Sequence, residues 1–150
     1  MQRPFQEQTV LITGGSRGIG AAIAKRFAEE GCNIAFTDLN EESIKATESE
    51  LLTLGVKVKG YISNAADFND VENTVKQIHQ DFGRIDVLVN NAGITRDTLM
   101  MRMSEKQWDD VITVNLKSAF NFIHAVVPIM ARQRNGSIIN MSSVVGVSGN

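Results

Sequence analysis

Residues 9–31 run from a short apolar stretch, TVLIT (9–13), through the glycine-rich turn GGSRGIG (14–20) into a helical stripe of Ile19, Ile23 and Phe27, which Gly31 stops. A compact apolar run bounded by glycines reads as a strand buried on both faces. A strand feeding a helix through a tight turn is a βα unit, and the rest of the chain repeats the alternation. NIAFTD (33–38) is a second strand. Residues 40–55 predict a helix with Asn40 or Ser43 as cap, acids in its first turn and Gly55 as its stop. VKVKGYI (56–62) alternates as a third strand, and the helix over 70–83 puts Val71, Val75, Ile78 and Phe82 on one face. DVLVN (86–90) is a fourth strand and SIINMSS (137–143) a fifth. Between them a long helical region, 104–133, carries Trp108, Val111, Ile112, Leu116, Phe120, Ile123 and Val127 on its apolar side. Pro128 should kink that region or mark a helix joint, and Asn135-Gly136 should close it. Right-handed crossovers then give an α/β, Rossmann-like doubly wound parallel sheet of five strands with helices on both faces.

The glycine turn admits two chemistries. Gly14-Gly15-Ser16-Arg17-Gly18 has the G-x-S-x-G spacing of a hydrolase nucleophile elbow. Such an elbow needs a histidine and an acid later in the chain, yet His79 and His124 both fall inside amphipathic helices, and no oxyanion segment precedes Ser16. A P-loop is excluded because no Gly-Lys-Ser/Thr follows. A dinucleotide turn accounts for each glycine. Gly14 turns the chain off the first strand, while Gly18 and Gly20 admit the pyrophosphate and bring the helix against the sheet. The helix starting near Ile19 then directs its N–H groups at the phosphates. Asp38, ending the second strand, stands where a ribose 2′-hydroxyl would be gripped.

Composition narrows the remaining classes. The 150 residues suit one domain, and 43% hydrophobic with 21% charged content is ordinary for a globular protein. A formal charge of -2 supplies no basic face for nucleic acid. No uninterrupted apolar run approaches the roughly 18 residues of a membrane span, and MQRPFQEQ lacks the apolar core of a secretion signal, so a cytoplasmic location is expected. Cys32, the single cysteine, excludes an internal disulfide and reads as a small buried hydrophobe. With two histidines and one cysteine no zinc cluster is expected. Met100, Met101 and Met103 read as core or interface packing, or else as a flexible substrate-facing loop.

Four motifs carry a resemblance. TGGSRGIG (13–20), LVNNAG (88–93), Asn115 in VNLKSAF and the strand SIINMSS are similar, in order and spacing, to the short-chain dehydrogenases/reductases. NNAGITRDTLMMRMSEKQWDDVITVNL resembles in particular those that reduce 3-oxoacyl-[acyl-carrier-protein]. The resemblance implies NAD(P)H-dependent reduction of a carrier-bound 3-oxoacyl thioester to its 3-hydroxyacyl form, a step of fatty acid synthesis. It implies that Gly14, Gly15, Ser16, Arg17, Gly18, Ile19 and Gly20 wrap the pyrophosphate and adenosine ribose, beside Asp38 and Leu39. Asn64 and Ala65 would meet the adenine, and Asn91, Ala92 and Gly93 the ribose and nicotinamide side. Ser143 would hydrogen-bond the substrate carbonyl, or else is a strand-end turn serine. Asn115 would hold a water of the proton relay, or else bonds backbone as a polar residue inside a helix.

The same family uses a tyrosine acid and a lysine four residues on, which lowers the tyrosine pKa. Here the only tyrosine is Tyr61, on the third strand, and Ala65 stands four residues after it. The expectation is an incomplete Rossmann domain over 1–150, with little catalysis of its own and a fifth strand left as a sheet edge. Asp38 favours NAD(H), because a carboxylate repels a 2′-phosphate; Arg17 and the habit of the resembling reductases favour NADP(H). Arg102, Arg132 and Arg134 are candidates for docking an acidic carrier protein, or form a solvated, basic helix end. The 104–133 region would pair copies into dimers or tetramers. Another short-chain dehydrogenase, for hydroxysteroids, sugars or small alcohols, and a non-catalytic dinucleotide-binding module are the competing readings.

Overall fold

A computed structural model describes residues 5–149; residues 1–4 and 150, including the start of the MQRPFQEQ segment, lie outside it. Five parallel strands, β1 (Thr9–Thr13), β2 (Asn33–Asp38), β3 (Val58–Ile62), β4 (Val87–Asn90) and β5 (Ser137–Asn140), form one sheet in the order β3-β2-β1-β4-β5. Between them run α1 (Gly18–Glu29), α2 (Glu41–Leu52), α3 (Phe68–Phe82), α4 (Glu105–Val111) and α5 (Ser118–Gln133), and α6 (Val145–Ser148) follows β5. Strand residues alternate between the two faces, which is why the core has two halves. Leu11, Ala35 and Leu88 face α3 and α5 through Val71, Val75, Ile78, Phe122, Val126 and Ile129. Val10, Ile12, Ile34, Phe36 and Val89 face α1 and α2 through Ala24, Ala28, Ile44 and Leu51. The doubly wound architecture predicted from the alternation is the one observed.

Helix starts follow the chemistry of caps. Asn40 accepts the Ser43 N–H at 2.8 Å, Asp67 accepts the Asp70 N–H at 2.9 Å, and Ser104 forms a reciprocal capping box with Gln107. With Asp67 as its cap, α3 begins at Phe68, two residues before the predicted 70. Gly83, left-handed at φ 78°, ends it. Cys32 is fully buried, as expected. β3 begins at Val58 rather than 56, and β5 ends at Asn140 rather than 143. Beyond Asn140 the Ser143 hydroxyl accepts the Val145 N–H and turns the chain into α6.

The long helical region departs from expectation at three points. Pro128 lies inside α5, which continues past it, so it marks no joint; the joint is instead a π-helical turn, Ile112–Lys117, between α4 and α5. The helix closes on Arg134, itself left-handed at φ 55°, while Gly136 is required because a Cβ there would meet the Met130 sulfur at 2.4 Å. Its buried side is Phe122, Val126, Ile129 and Met130. Trp108, Ile112, Leu116, Phe120 and Val127 from the predicted apolar stripe are exposed. Met100, in a 3₁₀ turn (Met100–Arg102), and Met101 are also exposed, so they fill no gap in this chain's core. By length and hydropathy Glu105–Gln133 would suffice to cross a membrane, although no uninterrupted apolar run does. Here its Phe122–Met130 side is packed on the sheet and α3.

Candidate functional site

All five strands end at one edge, and β1 sits where the strand order reverses, with β2 on one side and β4 on the other. In an open α/β sheet that edge at the reversal point is where a crevice opens. A cavity of about 720 Å³ lies there, lined from the glycine turn (Gly14, Arg17, Gly18), the end of β2 (Thr37, Asp38, Leu39), the turn after β3 (Ser63 to Ala66) and the segment after β4 (Asn91 to Ile94). Arg96, Lys106, Asp110 and Val114 complete it.

The glycine turn is built for close approach. Gly14 and Gly18 have φ of +64° and +54°, backbone that side-chain-bearing residues rarely adopt. A Cβ on Gly20 would lie 2.1 Å from the Gly14 carbonyl oxygen, so only glycine lets α1 approach the turn. α1 opens on Arg17 with no side-chain cap and no acid in its first turn, whereas α2, α3 and α4 are all capped. An uncapped helix start carries unpaired N–H groups and the positive end of the helix dipole. Together with the open space above Gly18, this suits a phosphate.

A second layer of hydrogen bonds fixes the turn. Asn91 donates through Nδ2 to the carbonyls of Thr13 and Gly14 at 3.2 and 3.1 Å, and the Thr13 hydroxyl accepts the N–H groups of Asn91 and Ala92 at 3.0 and 2.9 Å. The Asn91 side chain therefore clasps the turn, and its backbone lines the cavity. Ser16 is buried, and its N–H and hydroxyl both donate to Asp38 Oδ2, at 3.2 and 2.5 Å. Asp38 Oδ1 accepts the Leu39 N–H at 2.8 Å. The turn after β3 is held by the Asp70 carboxylate on the Asn64 N–H (2.6 Å) and by Asn121 Nδ2 on the Ala65 carbonyl (2.9 Å).

Of the predicted cofactor residues, Gly14, Arg17, Gly18, Asp38, Leu39, Asn64, Ala65, Asn91, Ala92 and Gly93 are brought together on the cavity wall. Gly15, Ser16 and Gly20 stand behind it, and Ile19 lies off the wall with its side chain 67% exposed. Asn115 sits in the π-helical turn and pairs with the backbone of Ile94, its Oδ1 accepting the N–H at 2.7 Å and its Nδ2 donating to the carbonyl at 2.9 Å. Its side chain thus has the backbone-bonding arrangement. Ser143 is exposed, off the cavity wall, and engaged in the turn into α6. Tyr61 is buried on β3 with its hydroxyl donating to Asp81 at 2.7 Å, and burial followed by that hydrogen bond raises its pKa, which removes it as an acid for this cavity. His124 pairs with Glu72 at 2.9 Å on the outer surface of α5 and α3, far in role from any triad. Thr37, Ile94, Arg96, Lys106, Asp110 and Val114 line the cavity without having been foreseen. The first could have been found as the neighbour of Asp38, but Ile94 and Arg96 lie in the β4–α4 connection, whose path has no periodic signal, and Lys106, Asp110 and Val114 are brought in by α4 and the π-helical turn.

The model of the short chain dehydrogenase family matches residues 8–150. The chain is 50% identical over 146 residues to the 3-oxoacyl-[acyl-carrier-protein] reductase of Thermotoga maritima, covering 97% of this chain and 59% of that one. It is 42% identical over 146 residues to the Escherichia coli reductase of the same name, again covering 97% and 59%. It spans about 59% of the length of these curated relatives. An NAD+-bound xylitol dehydrogenase superposes with a TM-score of 0.95 at 34% identity, covering 98% of this chain and 57% of that one. A metagenomic short-chain oxidoreductase in complex with NADP does so at 0.89 and 33%, covering 95% and 65%. With its parallel sheet, its glycine turn and the match over residues 8–150, the chain belongs to the short-chain dehydrogenase family.

Proposed function

We propose that residues 1–150 are the dinucleotide-binding domain of a reductase acting on a 3-oxoacyl thioester carried by acyl carrier protein, and that its dinucleotide is NAD(H). The observation that carries the binding reading is the uncapped start of α1, which opens beside Gly14 and Gly18 on a cavity of about 720 Å³. When bound there, a nicotinamide dinucleotide supplies hydride for carbonyl reduction. The chain's own part is to hold it. The N–H groups of the first α1 turn and the Arg17 guanidinium meet phosphate charge, Asp38 accepts from a ribose hydroxyl, and the turn at Asn64–Ala65 and the Asn91–Gly93 backbone close the two ends. Asp38 directs the choice to NAD(H), since a 2′-phosphate would set like charges together at contact distance.

The substrate assignment is supported by the likeness to the two reductases over 146 residues and by the segment from Asn90 to Leu116, which resembles that of reductases acting on 3-oxoacyl-[acyl-carrier-protein]. Ser143 would meet the substrate carbonyl after a rearrangement of the turn it now holds. Within these residues the function is binding rather than turnover, because the one tyrosine is committed to Asp81. Arg102, Arg132 and Arg134, all exposed, are the proposed contacts for the acidic carrier. The exposed stripe of Trp108, Ile112, Leu116, Phe120 and Val127 is the proposed surface for pairing with a second copy. A cytoplasmic location accompanies this reading. The test is titration with NADH and NADPH, followed by nicotinamide fluorescence, together with an assay of NADH-linked reduction of an acetoacetyl thioester. NADH binding without turnover is expected; tighter binding of NADPH, or of neither, overturns the assignment.

A further inference from the structure

Behind the cavity wall, Thr47 makes a contact that the family motifs do not reach. It lies half-buried on α2, two turns past the Asn40 cap, and its hydroxyl donates to the Ser16 carbonyl at 2.6 Å. Ser16 in turn gives its N–H and hydroxyl to Asp38 Oδ2. The three residues form a relay of fixed polarity: Thr47 orients the Ser16 peptide, Ser16 occupies one oxygen of Asp38, and the other oxygen, bonded only to the Leu39 N–H, is left for a ligand. Nothing else on α2 touches the glycine turn through a hydrogen bond among the described residues.

We propose that Thr47 is a positioning residue that sets dinucleotide discrimination by holding Ser16 against Asp38. This rests on the reading that the cavity binds NAD(H). A ribose hydroxyl donating to Asp38 needs the carboxylate held in one orientation, and a hydrogen bond is lost steeply with angle. Releasing Ser16 lets the carboxylate rotate, which penalises a ligand that uses Asp38 and spares one that does not. Thr47 thus acts on NADH more than on NADPH, although it touches neither.

Three variants test this in the 150-residue chain: Thr47→Val, which keeps the branched shape and removes the hydroxyl; Thr47→Ser, which keeps the hydroxyl; and Asp38→Ala. Dissociation constants for NADH and NADPH are measured alongside the melting temperature. The expected result for Thr47→Val is a roughly 5-fold weaker NADH affinity with an NADPH affinity changed less than 2-fold, and recovery in Thr47→Ser. Equal loss for both dinucleotides means that Thr47 merely supports the turn, and overturns the proposal. An unchanged NADH affinity also overturns it. If Asp38→Ala removes the preference for NADH while Thr47→Val does not, only the Thr47 role fails; if the unmodified chain binds neither dinucleotide, the underlying reading fails with it.

Discussion

Ser16 places both of its donors on a single oxygen of Asp38, so the carboxylate that ends β2 is tied to the glycine turn that follows β1. A carboxylate has about four acceptor positions. Ser16 and Leu39 fill three of those on Asp38, and the fourth belongs to the cavity. Asp38→Asn keeps the shape and removes the charge. Hydrogen bonds to charged groups contribute roughly 1.5–3 kcal/mol, so NADH affinity should fall about 10-fold. NADPH, relieved of a like charge, should bind as tightly or more so. Fluorescence titration with both nucleotides reads this directly, and parallel losses would show that Asp38 supports the turn without choosing the ligand.

Two glycines of the same turn separate strain from collision. Gly18 has φ +54° and empty space where a Cβ would go, so Gly18→Ala meets only the left-handed backbone penalty of about 1–2 kcal/mol. Gly20 has no positive φ, but its Cβ would be 2.1 Å from the Gly14 oxygen, a backbone atom that cannot swing aside. Gly20→Ala should therefore cost at least about 2 kcal/mol by forcing α1 off the turn. Urea denaturation should rank Gly20→Ala below Gly18→Ala. The reverse order would mean that α1 has room to shift.

Much of this site could be read before the fold was known, for a physical reason. Gly14, Asp38, Asn64 and Asn91 all stand at strand ends, and in a parallel sheet strand ends share one edge whatever lies between them. The order of elements alone therefore gathers them. The inner face of the long helical region could not be read so. Phe122, Val126, Ile129 and Met130 form one apolar side and Trp108, Leu116, Phe120 and Val127 another, and periodicity cannot say which of two apolar sides meets the sheet. The π-helical turn at Ile112–Lys117 resets the helical phase between α4 and α5, so a single stripe drawn across it mixes both. Arg96 reaches the cavity from a connection with no regular pattern, and Lys106 and Asp110 stand on α4, so their place follows only from where α4 comes to rest. Arg134, left-handed without being glycine, carries no sequence mark at all.

Cys32 makes alkaline stability a measurable property. Burial, and then the charges of Asp86 and Glu30, push its thiol from an ordinary 9.0 up to about 11. The folded chain keeps the proton in that interval while the unfolded chain releases it. Unfolding is therefore favoured as pH rises through the window from about 9 to 11, and the contribution is intact below it. Each pKa unit corresponds to about 1.4 kcal/mol, so the loss approaches ~2 kcal/mol at the upper end. Tyr61, raised by burial and by its bond to Asp81, acts in the same direction. Comparison with Cys32→Ala isolates the thiol: the difference in unfolding free energy between the two chains should shrink steadily above pH 9. A constant difference up to pH 11 would show that the thiol ionises as freely folded as unfolded.

Asn115 provides the sharpest separation between a positioning and a relay role. Its amide matches the Ile94 peptide donor for acceptor and acceptor for donor, which anchors the segment after β4 to the π-helical turn. Gly93 lies against it so closely that a Cβ would be 3.3 Å from Asn115 Oδ1. Gly93 and Ile94 line the cavity, so freeing them should disorder that wall before any chemistry begins. Asn115→Ala should lower stability by about 1 kcal/mol, a modest loss because the pair is exposed to water. It should also speed amide exchange at Ile94 and weaken NADH binding about 3- to 10-fold. A residue whose side chain served only to hold a relay water would leave NADH affinity and Ile94 exchange unchanged and would lower turnover alone in any longer chain carrying the tyrosine. Measuring exchange and affinity on one sample decides between the two, and unchanged values for both would assign Asn115 to the relay.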